Sequence, residues 1–257
     1  MRIPSPPISI PPHNISNLQI KELECLCQIR HYFRDQDFDD RYFSQFDWFR
    51  EVLPSTESIL DLGCGNGREA FALGWEMGAG TVVGVDLDDD KIRYAYEVTQ
   101  CIDSYRHRFP THYADQVRDW YKGMPHRIKA GILPKFLKMD ASQGLPWSDN
   151  GFGLVYCRYT LWQIADRSLD DLRSTCQSMA EAVNPESGRV VIVEPSKKEG
   201  FEYDFVECLQ DVGLALCAKE EDRNGLGWLE PFKRETDPID PKGYIFAKLT
   251  SVNAKAG

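Results

Sequence analysis

The chain has 257 residues, of which 42% are hydrophobic, with six Trp and 13 Phe, so it can fill the core of one large domain. Its net charge of −10 speaks against a surface wholly given to nucleic acid or acidic membrane, although a local basic site stays open. No apolar run reaches the roughly 18 residues of a membrane span, and the Pro-rich start MRIPSPPISIPPHN lacks the apolar stretch of a secretory signal, so a cytoplasmic protein is expected.

Residues 1–15 read as a flexible, polyproline-like tail. Residues 16–53 read as a helical cap. Ser16-x-x-Gln19 resembles a capping box opening a helix through about Phe33, with Leu23, Leu26, Cys27 and Phe33 as its apolar stripe. Phe46, Phe49, Val52 and Leu53 suggest a second helix that stops before Pro54. From residue 54 to 250 the pattern is that of an α/β domain. Ser58–Leu62 is a short strand running into Gly63, Gly65 and Gly67. Arg68–Met77 reads as a helix closed by Gly78, and Thr81–Val85 as a strand ending at Asp86. Asp88 is placed to cap a helix carrying Ile92, Tyr96 and Cys101.

Residues 102–134 form an insertion of aromatics, Arg and His broken by three prolines, with a short helix expected over Tyr113–Tyr121. Strands follow at Phe136–Met139 and Leu154–Cys157. Ser168 opens a helix carrying Leu169, Leu172, Cys176, Met179 and Val183. A buried strand spans Arg189–Val193, a helix Phe205–Val212, and strands Leu214–Ala218 and Tyr244–Leu249 flank a long polar loop, 219–242. Residues 251–257 are a small, polar tail. Alternating strands and helices predict a doubly wound, mostly parallel sheet of seven strands. The last two strands lack an intervening helix, which predicts a hairpin and one antiparallel strand.

Eight cysteines, at 25, 27, 64, 101, 157, 176, 208 and 217, include no C-x-x-C pair and no His at ligand spacing. They are expected as buried, reduced thiols, with no metal site.

The most specific feature is Asp61-Leu62-Gly63-Cys64-Gly65-Asn66-Gly67. A strand feeding a glycine-rich turn and a helix suits a nucleotide-like ligand, because glycine lets the backbone approach it closely. The dinucleotide pattern G-x-G-x-x-G would need Gly at position 68, which is Arg68. The spacing instead resembles class I S-adenosylmethionine-dependent methyltransferases, whose first motif is an acid followed by x-G-x-G-x-G. The likeness covers about residues 55–195, and the small-molecule, ubiquinone-type branch is the most similar. There L-P-F-x-D-x-x-F-D-x-V is common; here Trp147 stands for the Phe and Gly153 for the Asp.

That resemblance implies S-adenosylmethionine as cofactor, released as S-adenosylhomocysteine. It implies that Asp61, Gly63, Cys64, Gly65 and Gly67 form the cofactor loop, and that Asp86, followed by Leu87, takes the ribose hydroxyls. Asp140, followed by Ala141, would meet the adenine amino group. Cys157 and Arg158 would lie beside the cofactor, and Arg41 and Tyr42 of the N-terminal segment would reach its methionine end.

The acceptor has no signature. The stretch Tyr156-Cys157-Arg158-Tyr159 stands where N-P-P-Y would mark amide or exocyclic-amine methylation. Tyr159, Trp162 and Glu194, past the ends of two strands, are candidate acceptor contacts. So are Arg106 and Arg108, because Lys91–Lys138 holds ten Lys or Arg against four Asp or Glu and suggests an anionic acceptor. His107, His112 and His126 are candidate bases, and no catalytic residue is assigned. The expected function is methyl transfer to a small-molecule acceptor, possible anion included, without a membrane partner. Alternatives are an RNA or protein methyltransferase using the basic insertion, and a non-catalytic cofactor-binding partner protein.

Overall fold

The computed structural model describes residues 17–33, 46, 49–50, 53–108, 128, 131–147, 151–195, 201–221 and 241–248. Seven strands form one sheet: β1 (Ser58–Leu62), β2 (Thr81–Asp86), β3 (Lys135–Lys138), β4 (Leu154–Arg158), β5 (Arg189–Pro195), β6 (Leu214–Glu221) and β7 (Pro241–Lys248). Their order is β3-β2-β1-β4-β5-β7-β6. Pairing is parallel from β3 to β5, and β7 runs antiparallel to both β5 and β6, as the missing crossover helix implies.

Among the described residues, six α-helices pack on the sheet: α1 (Asn17–Phe33), α2 (Arg68–Met77), α3 (Asp89–Tyr105), α4 (Leu161–Arg167), α5 (Leu169–Ala182) and α6 (Phe201–Asp211). Strand residues alternate between the two faces, so the central strands read as unbroken apolar runs. Ile59, Tyr156 and Val191 join Ile29, Tyr32, Phe33, Phe71 and Ile102 on the side of α1–α3. Leu60, Val155, Cys157 and Ile192 join Leu161, Leu172, Met179 and Leu209 on the side of α4–α6. The chain builds outward from β1 to β3 and then returns to β4, which opens a crevice at the carboxyl ends of β1 and β4.

Local chemistry sets the element ends. Asp88 accepts from Asp90 N and Lys91 N and so starts α3, and Ser168 does the same for α5 through Asp170 N and Asp171 N. Gly78, in the left-handed region (φ 66), stops α2. Gly153, where the resemblance expects Asp, is filled from outside. A Cβ there would collide with Thr56 Oγ1.

Several expectations change. Between β4 and Ser168 stands a helix, α4, that the sequence pattern does not announce. The helix α3 runs through Tyr105 and continues as a 3-10 turn, Arg106–Arg108, so the insertion starts later than residue 102. The helix expected over 113–121 lies outside the described residues. Tyr96 and Leu169 are exposed; the apolar stripe of α3 runs instead through Ile92, Ala95, Val98 and Ile102. Strands β6 and β7 extend into the ends of the 219–242 loop. The expectation of eight buried thiols fails. Cys25 and Cys101 are bridged between α1 and α3, and Cys27 and Cys217 are exposed.

Candidate functional site

Strand β1 ends at Leu62 and the chain turns at once, through three glycines with positive φ. Two of them are forced by packing as well. A Cβ on Gly63 would collide with the Thr160 side chain, and one on Gly67 with the Phe136 ring, whereas Gly65 faces open space.

The turn is stitched to the end of β2. Gly63 N and Cys64 N donate to Val85 O at 2.8 and 3.0 Å, and Gly65 N donates to Asp86 Oδ2 at 2.8 Å. Asp86 Oδ1 accepts from Asp88 N at 2.8 Å. Two amides thus fix the carboxylate, and each oxygen keeps a second lone pair. On the outer side Tyr32 of α1 donates its hydroxyl to the Asn66 carbonyl, and the Arg68 guanidinium lies 5.6 Å from the Tyr32 ring centroid.

Two further strand ends complete the crevice. After β3, Asp140 Oδ1 accepts from Ser142 N at 3.0 Å and from Ser142 Oγ at 2.8 Å, which opens a 3-10 turn over Ala141–Gln143. After β4, Tyr159 takes a positive φ of 51 and donates its amide to Val193 O at 2.9 Å. Between these ends lies a cleft of about 610 Å³, walled by Gly63, Gly65, Asp86, Leu87, Asp140, Ala141, Arg158, Tyr159 and Thr160. Helix α4 adds Gln163, Ile164 and Arg167, and α3 adds Lys91. The volume suits a cofactor-sized ligand.

Charges of both signs meet here. Arg158 Nη1 pairs with Glu69 Oε1 at 3.2 Å, and its guanidinium lies 5.0 Å from the Tyr159 ring centroid. Arg167 reaches Asp140 at 3.8 Å. Beneath the loop, burial holds the Asp61 carboxyl well above the usual carboxylate range; Glu69 and Asp86 add to this and Arg158 opposes it. Burial likewise raises the Tyr159 hydroxyl, with Arg158 opposing.

The candidate residues therefore divide. Gly63, Gly65, Asp86, Leu87, Asp140, Ala141, Arg158 and Tyr159 share the cleft. Asp61, Cys64 and Gly67 lie behind it, where they shape the turn. Cys157 is fully buried in the α4–α6 core and is not among the residues that wall the cleft. Trp162 packs on the same core. Glu194 is 1% exposed and accepts from two backbone amides, so it is not an acceptor contact. Arg106 donates to Gly131 O at 3.2 Å, away from the cleft. Arg41, Tyr42 and the Arg108 side chain lie outside the described residues, as do His112 and His126.

Thr160, Gln163, Ile164 and Arg167 escaped the sequence reading because α4 did. The signal was there: Leu161 and Ile164 are three apart, and Ser168 ends one helix while capping the next.

A family model described as a methyltransferase domain matches residues 53–119, which hold the glycine loop, β2 and α3. A putative methyltransferase, 235L, of Invertebrate iridescent virus 6 is 30% identical over 73 residues, a stretch covering 28% of this chain and 27% of the viral protein. Among solved structures, a TehB-like S-adenosylmethionine-dependent methyltransferase from Corynebacterium glutamicum superposes with a TM-score of 0.53 at 19% identity, over 90% of this chain and 100% of that one. An S-adenosylmethionine-dependent methyltransferase from Clostridium acetobutylicum gives 0.54 at 14% identity, over 88% and 100%. Residues 53–119 are thus similar to a methyltransferase domain, and the chain shares the fold of S-adenosylmethionine-dependent methyltransferases of known structure.

Proposed function

We propose that the protein transfers a methyl group from S-adenosylmethionine to a small-molecule acceptor, an anion in our reading. One observation carries the donor half: the Asp86 carboxylate is pinned to Gly65 N at the cleft, with lone pairs left for a diol. The residues fit the cofactor in other respects too. Gly65 offers an open backbone face, Leu87 an apolar one, and Asp140 an acceptor for an exocyclic amine.

When bound, S-adenosylmethionine supplies an electrophilic methyl group on a sulfonium. Asp86 would then accept from the ribose hydroxyls and Asp140 from the adenine amino group. The Gly63–Gly65 backbone and Thr160 would hold the remainder. The protein's share of catalysis is alignment and exclusion of water. A side-chain base is needed only for an acceptor protonated at the working pH.

Arg158, Arg167 and Lys91 in the cleft support an anionic acceptor, and so does the basic sequence of the insertion. No helix among the described residues is long and apolar enough to cross a membrane. The test is turnover with methyl-labelled cofactor, against a metabolite extract and against total RNA and protein. Label in small molecules supports the reading; label only in macromolecules overturns the acceptor, and binding without any transfer overturns the enzyme. Charge reversal at Arg108, or at Arg118 in the same basic insertion, should raise the acceptor KM at least several-fold, and an unchanged KM in both removes the insertion from the site.

A further inference from the structure

Helix α4 brings Gln163, Ile164 and Arg167 to the cleft, yet it has seven residues and its N-cap residue, Thr160, makes no side-chain cap. The Thr160 hydroxyl donates to Arg158 O at 2.9 Å instead. The first amides of a helix have no partner within it. Here they are satisfied from another strand: Glu194 Oε1 accepts from Thr160 N at 2.8 Å and from Leu161 N at 2.7 Å. One residue earlier, Val193 O accepts from Tyr159 N at 2.9 Å. Three consecutive amides therefore hang on two consecutive residues of β5. Resting on the reading of the cleft as the cofactor site, we propose that Glu194 is a positioning residue, which seats the Tyr159–Leu161 turn and so sets the wall that Thr160, Gln163 and Arg167 present to the cofactor.

Three observations converge on this role. The Thr160 side chain fills the space that a Cβ on Gly63 would need, so a shift of the turn is transmitted to the glycine loop. Tyr159 is held in the left-handed region, a conformation that persists only where its surroundings impose it. Gln163 Nε2 closes the turn by donating to Tyr159 O at 2.6 Å.

The side chain is suited to the task. Glu194 is 1% exposed, and Oε2 has no hydrogen-bond partner among the described residues. Burial pushes the carboxyl up to about 8, against the pull of the backbone amides, so near neutral pH it carries a proton while Oε1 accepts. Glutamine reproduces that arrangement, with its carbonyl oxygen as the acceptor. Aspartate keeps the carboxyl but is one methylene too short.

The experiment compares Glu194→Gln, Glu194→Asp and Glu194→Ala with the wild type. Affinity for S-adenosylhomocysteine is read by calorimetry, and amide exchange over 159–167 by mass spectrometry without ligand. The expected result is affinity within about threefold of wild type for Gln, and at least about tenfold weaker for Asp and Ala, with about tenfold faster exchange in 160–161. Wild-type affinity and exchange in Glu194→Asp overturns the proposal, as does a Gln variant as weak as Ala. If Ala fails to fold, the Gln and Asp pair decides. If the wild type itself binds no S-adenosylhomocysteine, the cofactor reading falls, and the exchange data alone decide whether Glu194 seats the turn.

Discussion

The Tyr32 hydroxyl donates to the carbonyl of Asn66, tying helix α1 to the glycine loop across the edge of the α/β domain. The ring is fully buried and stacks edge-on with Phe33 and Phe71, so its place does not depend on the hydroxyl. Tyr32→Phe should therefore leave the fold intact and loosen only the loop. We expect a loss of about 1 kcal/mol, near fivefold, in S-adenosylhomocysteine affinity. Calorimetry on the folded variant checks this; unchanged affinity separates α1 from the loop.

The glycines of the turn predict unequal costs. In Gly67→Ala a methyl meets the Phe136 ring at a φ of 85, and a loss of about 3 kcal/mol or more in stability is expected. In Gly65→Ala the methyl meets nothing, and only the left-handed backbone costs, about 1 kcal/mol. Denaturant titration of both variants measures the difference. Equal costs would mean that backbone conformation, not the Phe136 contact, governs the loop.

These two glycines show what the sequence makes legible. Their spacing marks a turn and excludes a dinucleotide loop, because that follows from the chain alone. That Gly67 answers to Phe136 and Gly63 to Thr160 does not follow, since those partners come from β3 and from the turn after β4. Local signals served the same way elsewhere: Asp88 and Ser168 announce their helices. Helix α4 is only weakly legible: Leu161 and Ile164 mark its buried side and Ser168 its end, but its start is capped by Glu194, 33 residues from Leu161, which no local pattern records. That the Cys157 side chain is enclosed by core while its neighbour Arg158 walls the cleft does not follow from the chain either, since the enclosing residues come from α4–α6.

Glu194 also predicts a pH dependence. Its carboxyl is raised from 4.5 to about 8 by burial, so the folded state binds a proton that the unfolded chain has released. Its contribution is whole below the unfolded value, falls as pH rises from about 4.5, and is gone above about 8. Within that window wild-type stability should drop relative to Glu194→Gln by up to about 1.4 kcal/mol per pH unit. Cys157 and Tyr159 sense the charge of Glu194, but burial raises both above their ordinary values, so neither loses its proton between pH 5 and 8 and the difference isolates position 194. Urea midpoints of the two proteins between pH 5 and 8 test it; parallel curves contradict it.

The Asp86 carboxylate is the group on which the donor assignment rests. Asp86→Asn keeps an acceptor oxygen for Gly65 N and removes the charge, so the loop should hold while ribose recognition weakens. The most direct measurement is calorimetric titration of S-adenosylmethionine into the wild type, Asp86→Asn and Asp86→Ala, each shown to be folded by circular dichroism. Saturable one-to-one binding by the wild type is expected, with affinity at least about tenfold weaker in Asp86→Ala, or about 1.4 kcal/mol, and an intermediate loss in Asp86→Asn. A folded wild type that binds no cofactor at millimolar concentration, or an Asp86→Ala variant that binds as the wild type does, would contradict the account.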